Sequence, residues 1–81
     1  MIIDLHNKTL KEAKLIVNEE IDKAIKMNLS QIRIIYGYNG GNTLKNYFTN
    51  KKHYDPNKVL DIFEIPSNSG EAIINLKTKF K

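Results

Sequence analysis

The amino-acid sequence contains no cysteine, and this absence excludes several kinds of site. Without cysteine there can be no disulfide framework, no thiolate zinc site and no cysteine nucleophile. The chain has two histidines and nine carboxylates, which leave few ways to build a metal site from protein ligands alone. Histidine and carboxylate side chains are therefore the groups that remain for catalysis or metal binding.

Long hydrophobic runs are missing as well. The longest apolar segments extend over only a few residues, whereas a membrane-spanning helix needs roughly 20. The N-terminal segment MIIDLHNK lacks the basic region and the apolar stretch of a signal peptide. We therefore expect a cytoplasmic protein without a membrane partner.

Linkers, repeats and low-complexity tracts are also absent from the 81 residues, a length that suits one small domain. Hydrophobic residues make up 41% of the chain and charged residues 27%, which is typical of a folded domain rather than a disordered chain. We predict a single domain over residues 1–81. Because Met1 lies directly before the first predicted strand, a free-standing domain and an excised fragment both remain open.

Apolar patterns predict strands and helices in the order β-α-β-α-β-β. Strands are predicted over residues 2–5, 31–36, 59–65 and 71–76, the last extending towards 80, and helices over residues 10–27 and 43–51. Thr9 and Glu12 have the spacing of a capping box, which predicts the start of the first helix. Asn28 suits the left-handed conformation that ends a helix. Leu15 lies opposite the apolar face of that helix, and residues 66–70 form a strong turn signal.

The order of these elements predicts an α/β fold with two layers. Right-handed crossovers make the first three strands parallel, and the short turn makes the fourth strand antiparallel to the third. Both helices then lie on one face of a mixed four-stranded sheet. The result is a two-layer sandwich whose other sheet face is open.

Candidate catalytic groups follow the first predicted strand. Asp4 and His6 are two residues apart and therefore share one side of that strand. The carboxyl ends of the first and second strands meet at one edge of the sheet, where ligands bind in open α/β sheets. The second strand ends at Tyr36 at the same edge.

The chain's glycine cluster, residues 37–42, follows Tyr36 and opens the second helix. A loop of this kind offers backbone N–H groups to an anion. The segment lacks the Gly-Lys-Ser/Thr ending of a P-loop and the spacing of a dinucleotide site. The predicted contacts with a nucleic-acid phosphate at this loop are Gly37, Tyr38, Gly40, Gly41 and Lys45.

Positive charge is concentrated in two parts of the chain, whose formal net charge is +4. Residues 45–58 carry four lysines against one aspartate, and the tail from 77 to 81 carries three lysines. The first block directly follows the glycine cluster, so Lys51 and Lys52 join Lys45 as candidate phosphate contacts. A solvated lysine-rich surface is the alternative, because Lys, Ile and Asn account for 34 residues and this bias can arise from an AT-rich genome.

Structural explanations also exist for each candidate residue. Asp4 and His6 can satisfy backbone groups at a strand end, and the glycines can serve a tight turn between strand and helix. Tyr36 can be a core aromatic with its hydroxyl at the rim. His53 lies in a polar loop and is interpreted as a solvated surface residue.

Two motifs together resemble the Smr (small MutS-related) domain family. The segment Ile3-Asp4-Leu5-His6 resembles the family's L-D-L-H-G box, with Asn7 in place of the usual glycine. The segment IIYGYNGGNTLK, residues 34–45, resembles the family's H-G-x-G-x-G-x-L-R box with one extra loop residue. The order of the boxes, the capped helix between them and the element pattern extend the resemblance from about residue 2 to residue 76.

The resemblance implies a fold similar to the C-terminal domain of bacterial translation initiation factor three. It also implies nucleic-acid binding, often with DNA-nicking or RNA-cleaving activity linked to DNA repair and recombination or to RNA quality control. The family's functional residues correspond here to Asp4, His6, Gly37, Gly40, Gly41 and Lys45. The histidine that opens the second box corresponds to Tyr36, and tyrosine, with a reference pKa of about 10, is a poor base at neutral pH.

Two main functions are consistent with these residues. In a DNA or RNA endonuclease, Asp4, His6 and Tyr36 are the candidate catalytic residues. There His6 would transfer the proton, and Asp4 would orient His6 or hold a divalent cation such as magnesium or manganese. In a non-catalytic module, which the Tyr36 departure favours, the same edge would only bind nucleic acid. A protein–protein module is the third alternative. No small-molecule cofactor is expected.

Overall fold

The computed structural model describes residues 1–37, 43–65 and 68–78. Its elements follow the predicted order β-α-β-α-β-β. They are β1 (Ile2–Asp4), α1 (Leu10–Lys26), β2 (Gln31–Ile35), α2 (Thr43–Phe48), a 3₁₀ turn (Lys51–His53), β3 (Val59–Ile65) and β4 (Asn68–Leu76). The mixed four-stranded sheet with two helices confirms the predicted α/β class, and the likeness to the initiation-factor domain stays a prediction.

The strands are arranged in the spatial order β1-β2-β4-β3. β1 is parallel to β2, and β4 is antiparallel to both β2 and β3. β1, β2 and β3 therefore point in the same direction, as predicted. The β3–β4 hairpin inserts β4 between β2 and β3, so that the start of β4 lies beside the carboxyl end of β2.

The hydrophobic core lies between the sheet and the helices. Alternate residues of β2 and β4 are fully buried, among them Ile32, Ile34 and Ile74. Val17 of α1 and Phe48 of α2 belong to the same buried cluster, which places both helices on one face of the sheet. Each aliphatic side chain buried in this way stabilises the fold by roughly 1.5–3 kcal/mol. The other sheet face is open, as predicted.

Both predicted ends of α1 are present in the structure. Thr9 Oγ1 accepts a hydrogen bond from the Glu12 N–H at 3.1 Å, and Glu12 Oε1 accepts from the Thr9 N–H at 2.9 Å. This capping box satisfies two amide groups at the helix start and contributes about 1 kcal/mol. At the other end Asn28 has a φ of 59°, the left-handed conformation that stops the helix. Leu15, which the sequence places on the opposite helix face, is 61% exposed.

The segment after α2 differs from the prediction, because the helix ends at Phe48 rather than near residue 51. The Tyr54 hydroxyl donates a hydrogen bond of 2.7 Å to the Phe48 carbonyl oxygen, which satisfies an acceptor at the helix end. The Asn50 side chain then accepts from the Lys52 N–H at 3.2 Å and begins the 3₁₀ turn. Buried Tyr54 therefore anchors a segment that the sequence presents as a polar loop.

Other boundaries shift by small amounts: β1 ends at Asp4 and α1 at Lys26, each one residue earlier than predicted. β2 ends at Ile35, one residue earlier than predicted. β4 begins at Asn68 rather than at residue 71, so residues 68–70 belong to the strand instead of the turn. Neither helix in the described parts of the chain is long and apolar enough to cross a membrane.

Candidate functional site

Parallel pairing of β1 and β2 brings the two sequence motifs together at one edge of the sheet. Asp4 lies opposite Ile35, and the Leu5 N–H donates a hydrogen bond of 2.7 Å to the Ile35 carbonyl oxygen. His6 and Gly37 therefore follow adjacent strand ends. A Cβ atom placed on Gly37 would lie 3.8 Å from the His6 Cβ. The edge predicted from the topology thus contains residues from both motifs.

Asp4 and His6 form a side-chain pair at this edge. His6 Nδ1 lies 2.5 Å from Asp4 Oδ1, and the His6 backbone N–H donates to the same oxygen at 3.1 Å. The hydrogen bond from the His6 side chain is the largest cause of a lowered Asp4 pKa, and the backbone hydrogen bond adds to it. Both side chains are about half exposed, with 52% and 62% of their surfaces accessible. The carboxylate is therefore ionised at neutral pH and accessible to solvent.

An ionised carboxylate can only accept hydrogen bonds, so it requires the proton on His6 Nδ1. The neutral imidazole then carries its lone pair on Nε2, the ring atom that the carboxylate does not contact. Nε2 has no hydrogen-bond partner among residues 1–37, 43–65 and 68–78. This arrangement prepares His6 to accept or donate a proton at Nε2. The pair also satisfies the His6 backbone N–H, as the structural explanation expects, and the chemical role of the two residues stays a prediction.

Asn7, which stands where the first motif usually has glycine, has a backbone conformation that glycine favours. Its φ of 64° is in the left-handed region, and the Lys8 N–H donates to the Leu5 carbonyl oxygen at 3.1 Å across the turn. Asparagine tolerates this conformation better than other residues with a side chain. Asparagine is therefore compatible with the left-handed turn that leads from His6 into α1.

Gly37 has a φ of 74°, which favours glycine at this position. Its N–H and that of Tyr36 both donate to the Gly70 carbonyl oxygen, at 3.0 and 2.9 Å. A side chain at this position would meet His6 only at the ordinary contact distance of 3.8 Å, so space does not require glycine here. The left-handed backbone conformation of Gly37, two residues after the end of β2, is what favours glycine here.

Tyr36 lies on the opposite face of the sheet from Asp4. Asp4 shares its face with its neighbour Ile35, and the next residue, Tyr36, points to the helix layer, where it is 5% exposed. Its hydroxyl donates to the Glu71 carbonyl oxygen at 3.1 Å. Burial raises the pKa of Tyr36 to about 12, and Glu64 and Glu71 add to the shift. The hydroxyl is therefore protonated at neutral pH and occupied within the fold.

Lys45 contacts a carboxylate on the helix side of the sheet. Its Nζ lies 3.4 Å from Glu64 Oε1, and a third of the lysine side chain is exposed. A phosphate at Lys45 would compete with Glu64 for the ammonium group. α2 has only six residues, so few peptide dipoles add at its N-terminus, and we assign no anion site to that terminus.

The remaining predicted phosphate contacts divide into two groups. Lys51 and Lys52 are exposed on the 3₁₀ turn. Tyr38, Gly40 and Gly41 lie outside the described residues. The roles of all these residues stay predictions.

A divalent cation has no prepared site in the described ranges 1–37, 43–65 and 68–78. No group of three His, Asp or Glu side chains there is arranged to hold a metal ion. Asp4 Oδ1 is already engaged by two hydrogen-bond donors from His6. The residues present therefore do not fit a metal cage, and we assign no step to a metal.

Sequence patterns did not indicate a second surface cluster, formed by Lys14, Tyr47 and His53. The Tyr47 and His53 rings are stacked with centroids 4.0 Å apart, and Lys14 Nζ lies 4.7 Å from the Tyr47 centroid. These residues come from α1, α2 and the 3₁₀ turn, so no spacing within one element could have revealed them.

Comparisons with known proteins identify the family and agree with the overall fold. The family model for the Smr domain matches residues 3–72. The chain is similar in structure to the Smr domain of Thermus thermophilus MutS2, with a TM-score of 0.72 and 22% sequence identity. That comparison covers 94% of this chain and 96% of the other. A search of curated proteins gives no significant match.

Proposed function

The chain belongs to the Smr domain family, and from this premise we propose that it binds nucleic acid at the edge formed by Asp4, His6 and Gly37. Smr domains are associated with nucleic-acid binding and with nucleases. The observation that carries the proposal is the orientation of His6. Asp4 holds its Nδ1, and its Nε2 is available beside the turn at Gly37.

A phosphodiester group suits this edge chemically. His6 Nε2 can donate to a phosphate oxygen when the ring is protonated, and such charge-assisted hydrogen bonds are the stronger kind. The ionised Asp4 accepts the Nδ1 hydrogen bond that holds the ring in this orientation. Exposed lysines of the chain add a general attraction for a polyanion, which makes binding depend on salt concentration.

Phosphodiester cleavage is the second candidate function, and the accessible Nε2 favours it. The neutral His6 ring can take a proton from an attacking hydroxyl, either water or the 2′-hydroxyl of RNA, while Asp4 stabilises the imidazolium that forms. A correctly placed general base typically accelerates a reaction by about 10²–10⁴-fold. Tyr36 does not take this role in the proposal, because its hydroxyl is buried and its pKa is raised to about 12.

Binding and cleavage are tested together on supercoiled plasmid and on single-stranded RNA. We expect retardation of nucleic acid at low salt that weakens steeply as salt rises. Exchange of both Asp4→Ala and His6→Ala should weaken binding and remove any nicking or RNA cleavage, because the phosphate contact and the base are lost. Tyr36→Phe is the matched control, since it removes the second-motif hydroxyl and keeps the ring in the core.

The outcomes separate the candidates. Cleavage that persists in the double variant would exclude this edge as the catalytic site. If Tyr36→Phe loses the cleavage activity, the Tyr36 hydroxyl would be identified as a catalytic group. If the parent protein retards neither plasmid nor RNA at low salt, the nucleic-acid proposal is wrong and a protein–protein module becomes the remaining alternative.

A further inference from the structure

Away from Asp4 and His6, three elements build a flat aromatic surface on the helix layer. The His53 ring of the 3₁₀ turn is stacked on Tyr47 of α2, with 16° between the ring planes and 4.0 Å between centroids. Lys14 of α1 places its Nζ 4.7 Å from the Tyr47 centroid. We call Lys14, Tyr47, His53, Lys51 and Lys52 the aromatic–lysine patch.

The patch is anchored in the core on its inner side. Tyr47 packs edge-on against Phe48, with centroids 5.0 Å apart and 78° between planes, and Phe48 is only 1% exposed. Tyr54 holds the end of α2 through its hydrogen bond to the Phe48 carbonyl. His53 itself is an exposed residue, although its ring is stacked on Tyr47. The fold thus holds an aromatic ring in one orientation at the surface.

In the described parts of the chain, the lysines of the patch differ from neighbouring lysines in having no carboxylate partner. Lys45 contacts Glu64, and Lys58 Nζ lies 2.6 Å from Asp22 Oδ1. Within residues 1–37, 43–65 and 68–78, no carboxylate pairs with any of the three patch lysines. Their positive charge is therefore available to an external anion.

We propose that the aromatic–lysine patch binds single-stranded nucleic acid, with an unpaired base stacked on His53 and the adjoining phosphates on Lys14, Lys51 and Lys52. This inference rests on the proposed nucleic-acid function and adds a second contact to it. A single strand has unpaired bases that can stack on an aromatic ring, and its phosphates are attracted by the positive charge beside that ring. A duplex keeps its bases paired and stacked, so it satisfies only the charged part of the patch.

The patch is formed largely by the elements that follow the second motif in the chain. α2 begins at Thr43, directly after the glycine cluster, and Tyr47 lies about 6 Å further along the helix axis. The 3₁₀ turn supplies His53 and two lysines together, which suits a base and its phosphates.

The test measures the affinity of labelled oligonucleotides of about a dozen nucleotides by fluorescence anisotropy. We use single-stranded DNA and RNA of one sequence, a matched strand with abasic positions and a duplex. His53→Ala should weaken binding of the intact single strand about fivefold or more, and it should leave the abasic strand and the duplex within about twofold. His53→Phe should restore the affinity, because it keeps an aromatic ring on Tyr47.

The charged part of the patch has its own controls. Lys14→Gln and Lys51→Gln should each reduce the slope of log affinity against log salt by about one. Lys26→Gln, at the far end of α1, removes the same charge away from the patch and should affect the slope less. Circular dichroism of each variant checks that the fold is kept.

The results distinguish this inference from the function on which it rests. If the parent protein binds single strands and His53→Ala binds them equally well, the patch is not a base-stacking site, although the nucleic-acid function stands. Equal affinity of intact and abasic strands for the parent would give the same conclusion. If the parent binds no nucleic acid at low salt, both proposals fail.

Discussion

The two motifs at the carboxyl edge of β1 and β2 use their polar aromatic residues in opposite ways. His6 of the first motif is mostly exposed, and its imidazole is oriented by Asp4. Tyr36 of the second motif is buried, and its hydroxyl bonds to the Glu71 carbonyl. The difference shows that neighbouring positions in two paired strands can place one side chain in solvent and the other in the core. Alternation decides this division, because Asp4 pairs with Ile35 and the next residue faces the helices.

The largest expected effect comes from exchanging these two side chains for alanine. Tyr36→Ala should lower the free energy of unfolding by about 3–5 kcal/mol, because it opens a cavity in the core. His6→Ala should change it by less than about 0.5 kcal/mol, because that side chain is exposed. Chemical denaturation followed by circular dichroism measures both values. Equal losses of stability would contradict the division of roles between the motifs.

The turns next to the two motifs should differ in how much a substitution costs: removing glycine should cost more than introducing it. Gly37→Ala should cost about 1–2 kcal/mol of folding stability, because alanine is strained at a φ of 74°. Asn7→Gly should cost little, because glycine adopts the left-handed conformation of this turn readily. Thermal unfolding of the two variants beside the parent measures the difference. A Gly37→Ala variant as stable as the parent would show that this turn is not held in the left-handed conformation.

Glu64 limits the charge that the second motif can offer to a phosphate. Glu64→Gln should strengthen binding of single-stranded nucleic acid about two- to threefold, because Lys45 loses its 3.4 Å partner and one negative charge is removed. Glu19→Gln, at an exposed position of α1, is a matched control that removes the same charge elsewhere. Binding isotherms at several salt concentrations compare the two. Equal gains in both variants would mean that Glu64 acts through net charge alone.

The smallest effect concerns the pH dependence of the Asp4–His6 pair. The Asp4 pKa is lowered from its ordinary value of 3.8, so the pair contributes to stability above that value. The contribution disappears as the pH falls through the lowered pKa, because the protonated carboxyl no longer attracts the imidazolium. Titration of the Asp4 carboxyl carbon by NMR should give a midpoint below 3.8 in the parent and a higher one in His6→Ala. The same midpoint in both proteins would mean that the pair does not form in solution.

Most of the fold follows from local sequence signals. The capping box at Thr9, the left-handed Asn28 and the strand over 59–65 are all present where the sequence predicts them. Short hydrogen-bonded patterns of this kind depend on neighbouring residues, so they can be recognised without tertiary contacts. The early end of α2 could not be predicted, because it depends on the Tyr54 hydroxyl reaching back to the Phe48 carbonyl.

The candidate site, too, could be predicted from the sequence only in part. The spacing of Asp4 and His6 places both on one side of a strand, and parallel pairing then brings Gly37 beside them. Nothing in the spacing indicates that Lys45 contacts Glu64, since these residues come from α2 and β3. The stack of His53 on Tyr47 is of this kind too, and the sequence favours a solvated loop histidine there.

The sequence by itself determined the order of the elements, the helix caps and the meeting of two motifs at one sheet edge. The first two features depend on periodicity and on turn chemistry, which act over a few residues, and the third follows from the right-handed crossover that joins parallel strands. Only the tertiary structure decided that Tyr36 supports the core, that Lys45 is paired and that Lys14, Tyr47 and His53 come together. Such contacts join residues far apart in the chain, and they depend on how the layers pack around side-chain volumes that no local pattern encodes.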